Sequence, residues 1–256
     1  MGAKTGLVAY LDGSGDGDVP GLLKGAGEPD RERTAALVRR LHPGWEVEEI
    51  EGSTLSEQVR PPEGLVYAGS WPGLDVVCDR RVMVDNPTRE LPAEVVAEGA
   101  GRRMVLHAMH SVVDWLAFAV WQDGQVVRAL SLSPDDGIIE NTGAPFPFEH
   151  PYWAGERSVE ESLWPDDDEE PYPLPFHPLE LGEDALRGLF GFIVEGRPEP
   201  GDVNPGEVRL RGFRVRDPQA PDPAEAETAL RARVAAMPPP RVYVMGPDGK
   251  LVERPR

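Results

Sequence analysis

Histidines and carboxylates gather in one stretch of this chain, LHAMHSVVDWLAFAVWQDG, which carries His107, His110 and Asp114; Glu140 and His150 follow downstream. Imidazole and carboxylate groups are ligands for zinc and other transition metals, and they are also the usual general acids and bases. On a helix, His107, His110 and Asp114 at i, i+3 and i+7 would share one face. On a strand, His107 and His110 point to opposite faces, and the three converge only if His110 begins the turn into Ser111. Read as an enzyme, the chain is a metal-dependent or hydrolytic one using this region, with Glu140 or His150 completing the site. Read without catalysis, His107 is a hydrogen-bonded core histidine and His110-Ser111 caps a turn. No nucleophile elbow, HExxH pair or other named catalytic signature is present, and Ser111 beside His110 is no dyad, because adjacent strand residues diverge.

A second candidate is the acidic loop Asp12-Gly-Ser-Gly-Asp-Gly-Asp18. It copies the first half of a calcium loop, but the twelfth position, where a bidentate Glu is required, is Leu23. Its glycines do not make a phosphate cradle either, because an anion there would face three aspartates and no base. No cofactor is expected. Cys78 is the single cysteine, so no internal disulfide can form. Its apolar strand context predicts an inert, buried thiol and fits a reducing cytoplasm.

The elements that must position these residues follow from pattern. Trp115 to Trp121 is apolar on both faces, as in a covered central strand. Asp123-Gly124 then marks a hairpin turn, with Val126 to Ser133 returning and Met104 to Met109 preceding as a third strand. A helix over His107 to Trp121 is the competing assignment; the Asp-Gly turn and the Val, Phe and Trp content favour strand. Elsewhere the chain predicts strands at Thr5–Leu11, Trp45–Ile50, Leu65–Ser70, Leu74–Asp79 and Val208–Val215. It predicts helices from Pro29 to a stop at Gly44, over Pro92–Glu98, over Glu183–Val194 and from Asp222 to Met237, and a terminal hairpin over 242–252.

This is an α+β chain, with a mixed, largely antiparallel sheet, a few covering helices and long loops, since Gly and Pro number 28 each. The composition break at GRPEPGDVNPG divides it into a main domain, 1–195, and a C-terminal appendage, 196–256. The acidic run Asp166–Glu170 reads as a solvated loop tip.

The 45 acidic residues against 26 basic give a net charge of −19. Nucleic acids and anionic membranes require a basic footprint, so neither is an expected partner. The densest basic run, VRLRGFRVR, splits Arg209 and Arg211 from Arg214 and Arg216 across the two faces of a strand. No run reaches the ~18 apolar residues of a membrane helix, and Met1-Gly-Ala-Lys leads into no secretory signal, so the expected location is the cytoplasm. Aromatics in the proline-rich loops and turns, Trp71, Phe146, Phe148, Tyr152, Trp153 and Phe176, offer rigid contact area to a protein partner. With no catalytic signature present, the leading expectation is a non-enzymatic binding or interaction module, of undetermined oligomeric state.

Six blocks taken in order, MGAKTGLVAY, VYAGSWPGLDVVC, LHAMHSVVDWLAFAVWQDG, SLSPDDGIIE, PFEHPYWAGE and YPLPFHPLELGEDALRGLFGF, resemble an uncharacterised actinobacterial protein family of unknown function across residues 1–195. The resemblance implies an uncharacterised cytoplasmic protein; it supplies no activity, substrate, cofactor or catalytic residue.

Overall fold

The computed structural model describes residues 2–13, 18–159, 172–220, 228, 231–233, 243–245 and 251–253. The chain divides into two compact units, Met1–Asp217 and Pro218–Arg256. In the first, the strands are β1 (Lys4–Asp12), β2 (Glu46–Thr54), β3 (Leu65–Trp71), β4 (Leu74–Cys78), β5 (Arg102–His110), β6 (Trp115–Gln122), β7 (Gln125–Ser133), β8 (Gly137–Gly143) and β9 (Arg209–Arg216). They form one sheet in the order β2-β9-β3-β4-β1-β5-β6-β7-β8, and every neighbouring pair is antiparallel. The helices are α1 (Val19–Lys24), α2 (Arg31–Leu41), α3 (Leu55–Gln58), α4 (Pro87–Glu90), α5 (Ala93–Glu98), α6 (His150–Trp153) and α7 (Pro178–Phe190). The fold is α+β, and among the described residues no helix is long and apolar enough to cross a membrane.

The middle strand is β1, and the meander β5-β6-β7 continues the sheet from it towards the β8 edge. Leu116, Phe118 and Val120 enter a core shared with α7, and Ala119 and Trp121 enter a second core shared with α2 and α5. The β6–β7 turn carries positive φ at both Asp123 (50°) and Gly124 (77°), as a type I′ hairpin requires. The helix predicted from Pro29 begins at Arg31, because Asp30 caps it by accepting from the Arg33 amide at 2.9 Å. The helix expected over Glu183–Val194 lies further upstream, over Pro178–Phe190. The His177 ring caps it by accepting from the Leu179 amide, Pro178 fits its first turn, and Gly191 closes it at φ 82°.

The expected boundary at 195/196 moves to 217/218. Strand β9 is no appendage: it runs between β2 and β3, pairing Phe213 with Val66 on one side and with Glu49 on the other. Its single glycine allows this, since a Cβ at Gly212 would collide with the Glu51 carbonyl where β2 bulges. Leu210 enters one core while Phe213 and Val215 enter the other, so the strand joins both layers. In the second unit, β10 (Tyr243–Met245) and β11 (Leu251–Glu253) pair as an antiparallel hairpin. The helix expected from Asp222 lies largely outside the described residues, as does the acidic run 166–170.

A chain ending at Gly196 loses β9 and leaves β2 and β3 without their shared partner. It is expected to be insoluble or to show no cooperative thermal transition, whereas a chain ending at Asp217 keeps one. Circular dichroism melts of the two truncations check this; a sharp transition in the shorter chain would show that β9 is dispensable.

Candidate functional site

Strand geometry decides the fate of the residues singled out for chemistry. His107 lies on the face of β5 covered by α7 and is fully buried. Its Nε2 donates to the Gly182 carbonyl at 2.9 Å; a carbonyl only accepts, which fixes the proton there, so Nδ1 accepts from the Thr5 hydroxyl at 2.8 Å. Both ring nitrogens are used, tying β1, β5 and α7 together. His110 points to the opposite face and is half-buried, its Nδ1 accepting from the Val112 amide. Asp114 sits in the β5–β6 turn at φ 46°, its Oδ2 3.7 Å from Nε2 of His177. Glu140, on β8, accepts from the amide and hydroxyl of Thr88. His150 opens α6 and is exposed. The five are not brought together, and among the described residues no three His, Cys, Asp or Glu side chains are grouped as a metal ion requires. Residues 14–17 of the acidic loop lie outside the described residues; Asp12 pairs with Arg102 at 2.9 Å and Asp18 caps α1.

The loop aromatics are likewise occupied. Trp71, Tyr152 and Phe176 are buried, and Phe146, Phe148 and Trp153 pack against the same core. Tyr152 and Trp153 both meet Phe176 edge-on, at 5.3 and 5.0 Å. They are core, not free contact area. Cys78 is buried, and that burial pushes its thiol well above the usual range.

What the fold does assemble is a cavity of about 380 Å³ at one end of the sheet. Strand register brings part of its lining together: His110 lies opposite Trp115 across β5 and β6, with Lys4 opposite His110 across β1 and β5. Ser133 closes β7 at the same end. Arg80 and Met83 come from the turn after β4, which is anchored where the Asp79 amide donates to the Gly6 carbonyl; Gly6 has no Cβ to obstruct Met83. Arg60 is placed by the preceding carbonyl of Val59, which accepts from the Gly6 amide at 2.9 Å. The cavity is thus lined by the basic side chains Arg60, Arg80 and His110, the acidic Asp85, Asp135 and Asp136, and the apolar Met83, Val113 and Trp115.

The two arginines are not neutralised from within. Among the described residues no carboxylate lies within 4 Å of Arg60 or Arg80, whereas Arg31, Arg40, Arg81, Arg102 and Arg128 each meet one. Burial first, and then Arg80, lowers the Arg60 pKa. Burial, followed by Lys4 and Arg60, lowers that of His110. The buried Arg60 Nε and the indole N–H of Trp115, a residue only 6% exposed, have no hydrogen-bond partner. Sequence reading reached His110 and Trp115 but not the remainder, whose positions at 60, 80–85 and 133–136 share no periodicity or motif.

A family model described as "Family of unknown function (DUF6928)" matches residues 6–213, a span that ends inside β9. No curated protein and no solved structure matches the chain.

Burial holds His107 neutral, pushing its pKa down to about 4 against part of the opposing effect of the Gly182 hydrogen bond. An unfolded chain titrates this group near 6.5. The folded value is the lower one, so the stability it contributes is present above about 6.5 and is lost as pH falls toward 4. Roughly 2 kcal/mol should disappear between pH 7 and pH 5. Urea unfolding at the two pH values measures this, and His107→Gln is expected to flatten the slope; an unchanged slope would remove His107 as its source.

Proposed function

Since the chain belongs to that family of unknown function, we propose, from the site itself, that it is a non-enzymatic binding module whose ligand is a small anion-bearing molecule held in the cavity beside the β5–β6 turn. One observation carries this reading: Arg60, Arg80 and His110 line one cavity, and among the described residues no carboxylate lies within 4 Å of either arginine, in a protein of net charge −19. Like charges drawn together in a partly dehydrated cavity repel, and an anion there offsets the repulsion and satisfies the free donors. The volume, about 380 Å³, falls at the small end of the roughly 300–1,000 Å³ typical of ligand pockets.

Recognition fits the side chains better than turnover. His110 accepts through Nδ1, so in its neutral form the proton is on Nε2 and the ring is a donor to an anion, not a free base. The Ser133 hydroxyl donates to the Asp136 carboxylate and accepts from the Asp136 amide, both at 3.0 Å, so it is not an activated nucleophile. A metal-dependent or hydrolytic site using His107, His110 and Asp114 gains no support from this geometry. Nucleic acid remains an unexpected partner. Arg211, Arg214 and Arg216 rest on Glu49, Glu48 and Glu46 at 3.3, 2.6 and 2.8 Å, which removes much of their phosphate attraction. The lone buried thiol is compatible with a cytoplasmic setting.

Inorganic phosphate titrated into the full chain at low salt tests the proposal. Binding is expected by calorimetry, and an anion beside the imidazole should raise the His110 pKa seen by NMR. Arg60→Ala and Arg80→Ala should each weaken binding about tenfold, the equivalent of one charge-assisted hydrogen bond. A His110 titration curve indifferent to phosphate, together with no heat of binding, would overturn the assignment.

A further inference from the structure

The cavity is also lined by charge of the opposite sign. Asp85, Asp135 and Asp136 face the same space as Arg60, Arg80 and His110, yet among the described residues none of the three carboxylates meets a base within 4 Å. Among the described residues, Asp136 hydrogen-bonds to Ser133 alone. Positive and negative groups that form no ion pair within 4 Å therefore line one small cavity together with Met83 and Trp115. Side chains of opposite charge on one cavity that do not close on each other leave two binding fields, and a ligand that spans them needs a charge of each sign.

We infer that the ligand is dipolar: a small molecule with a phosphate or carboxylate at one end and an ammonium group at the other, joined by a short chain. This rests on the reading of the cavity as an anion-binding site and adds the group that reaches the aspartates. An ammonium suits the aspartates better than a metal ion, because these carboxylates do not form a group that would hold one. Three donors on an ammonium can be shared among carboxylates that are spread out. The short connecting chain lies over the Trp115 ring and Met83, whose apolar surface favours methylene groups. The small volume excludes dinucleotides and oligomeric ligands.

Calorimetry with three matched probes separates the two levels. Phosphoethanolamine carries both charges, ethyl phosphate only the anion, and ethylamine only the cation. Phosphoethanolamine is expected to bind about tenfold or more tightly than ethyl phosphate, with ethylamine the weakest. The double substitution Asp135→Asn with Asp136→Asn should erase that advantage while leaving ethyl phosphate bound at least as tightly. Both aspartates are exposed, and Asn keeps an acceptor for the Ser133 hydroxyl, so the thermal midpoint of the variant should match the parent and confirm that it is folded. Equal affinity for phosphoethanolamine and ethyl phosphate, or an advantage that survives the double substitution, would overturn the dipolar ligand and leave the anion site standing. Failure of both phosphates to bind would overturn the anion site and this inference with it.

Discussion

Arg128 and Glu149 are buried together, and the chain beyond the meander is organised on that pair. The guanidinium projects from β7 with no exposed surface and donates through Nε and Nη2 to both oxygens of Glu149. Its Nη1 is shared among Asn141 and the carbonyls of Thr142 and Gly143 at the end of β8. Glu149 in turn accepts from the Phe146 amide at 2.8 Å and the Trp153 indole at 3.2 Å. The segment between β8 and α6 is thereby drawn down over the sheet, which brings Phe148 against Phe118 and Trp153 against Phe176. Ions taken out of water are tolerated only with this degree of satisfaction, and removing one partner of such a pair typically costs about 3–5 kcal/mol. The cover on the α7 face is therefore held by a polar clamp inside an apolar layer.

The rest of the charge follows the same rule of local neutralisation, in wetter surroundings. Strand β2 is the most acidic in the sheet and β9 the richest in arginine, and they lie side by side with Glu46 opposite Arg216 and Glu48 opposite Arg214. At the far end of β1, Arg102 meets Asp12, Asp75 and Glu98. The exposed pairs between β2 and β9 add little stability individually; their effect is to set the register of β2 on β9 and to use up basic charge. Against that background, the cavity gathers charges of both signs that, among the described residues, form no ion pair within 4 Å.

Much of the fold was legible because its information is local. The apolar faces of Trp115–Trp121 and the Asp123-Gly124 turn each act over a few residues, and each appears where pattern places it. Strand Arg209–Arg216 was legible as a strand, but its partners β2 and β3 lie some 150 residues upstream, and a break in composition at GRPEPGDVNPG says nothing about pairing. The site was less legible for the same reason. The rule that His107 and His110 diverge on a strand held, and it dissolved the constellation that spacing had suggested. Arg60, Arg80, Asp85, Asp135 and Asp136 sit at element ends and turns, where no period operates, and only the antiparallel register carries them to one end of the sheet. The loop aromatics misled in the opposite sense, since proline-rich segments on a clamped surface turn their rings inward.

The basic lining persists because the acid nearest to it in sequence is already committed. Asp79 directly precedes Arg80, but it is buried and faces away. Its Oδ1 accepts from the Arg81 amide, and its Oδ2 lies 2.9 Å from the Arg81 guanidinium and 3.3 Å from the His42 ring. Burial alone would raise the pKa of Asp79; the nearby His42 ring and the Arg81 guanidinium outweigh it and hold the carboxyl below the usual range. Arg81 is engaged in the same network, reaching Glu94 and the Leu41 carbonyl and lying over the Trp45 ring. Consecutive residues thus point to two sides: Asp79 and Arg81 fasten the turn to α2 and α5, and Arg80 is left facing the cavity. A turn fixed in this way presents its charge without having to be ordered by the ligand, and groups held in place beforehand lower the entropic cost of binding.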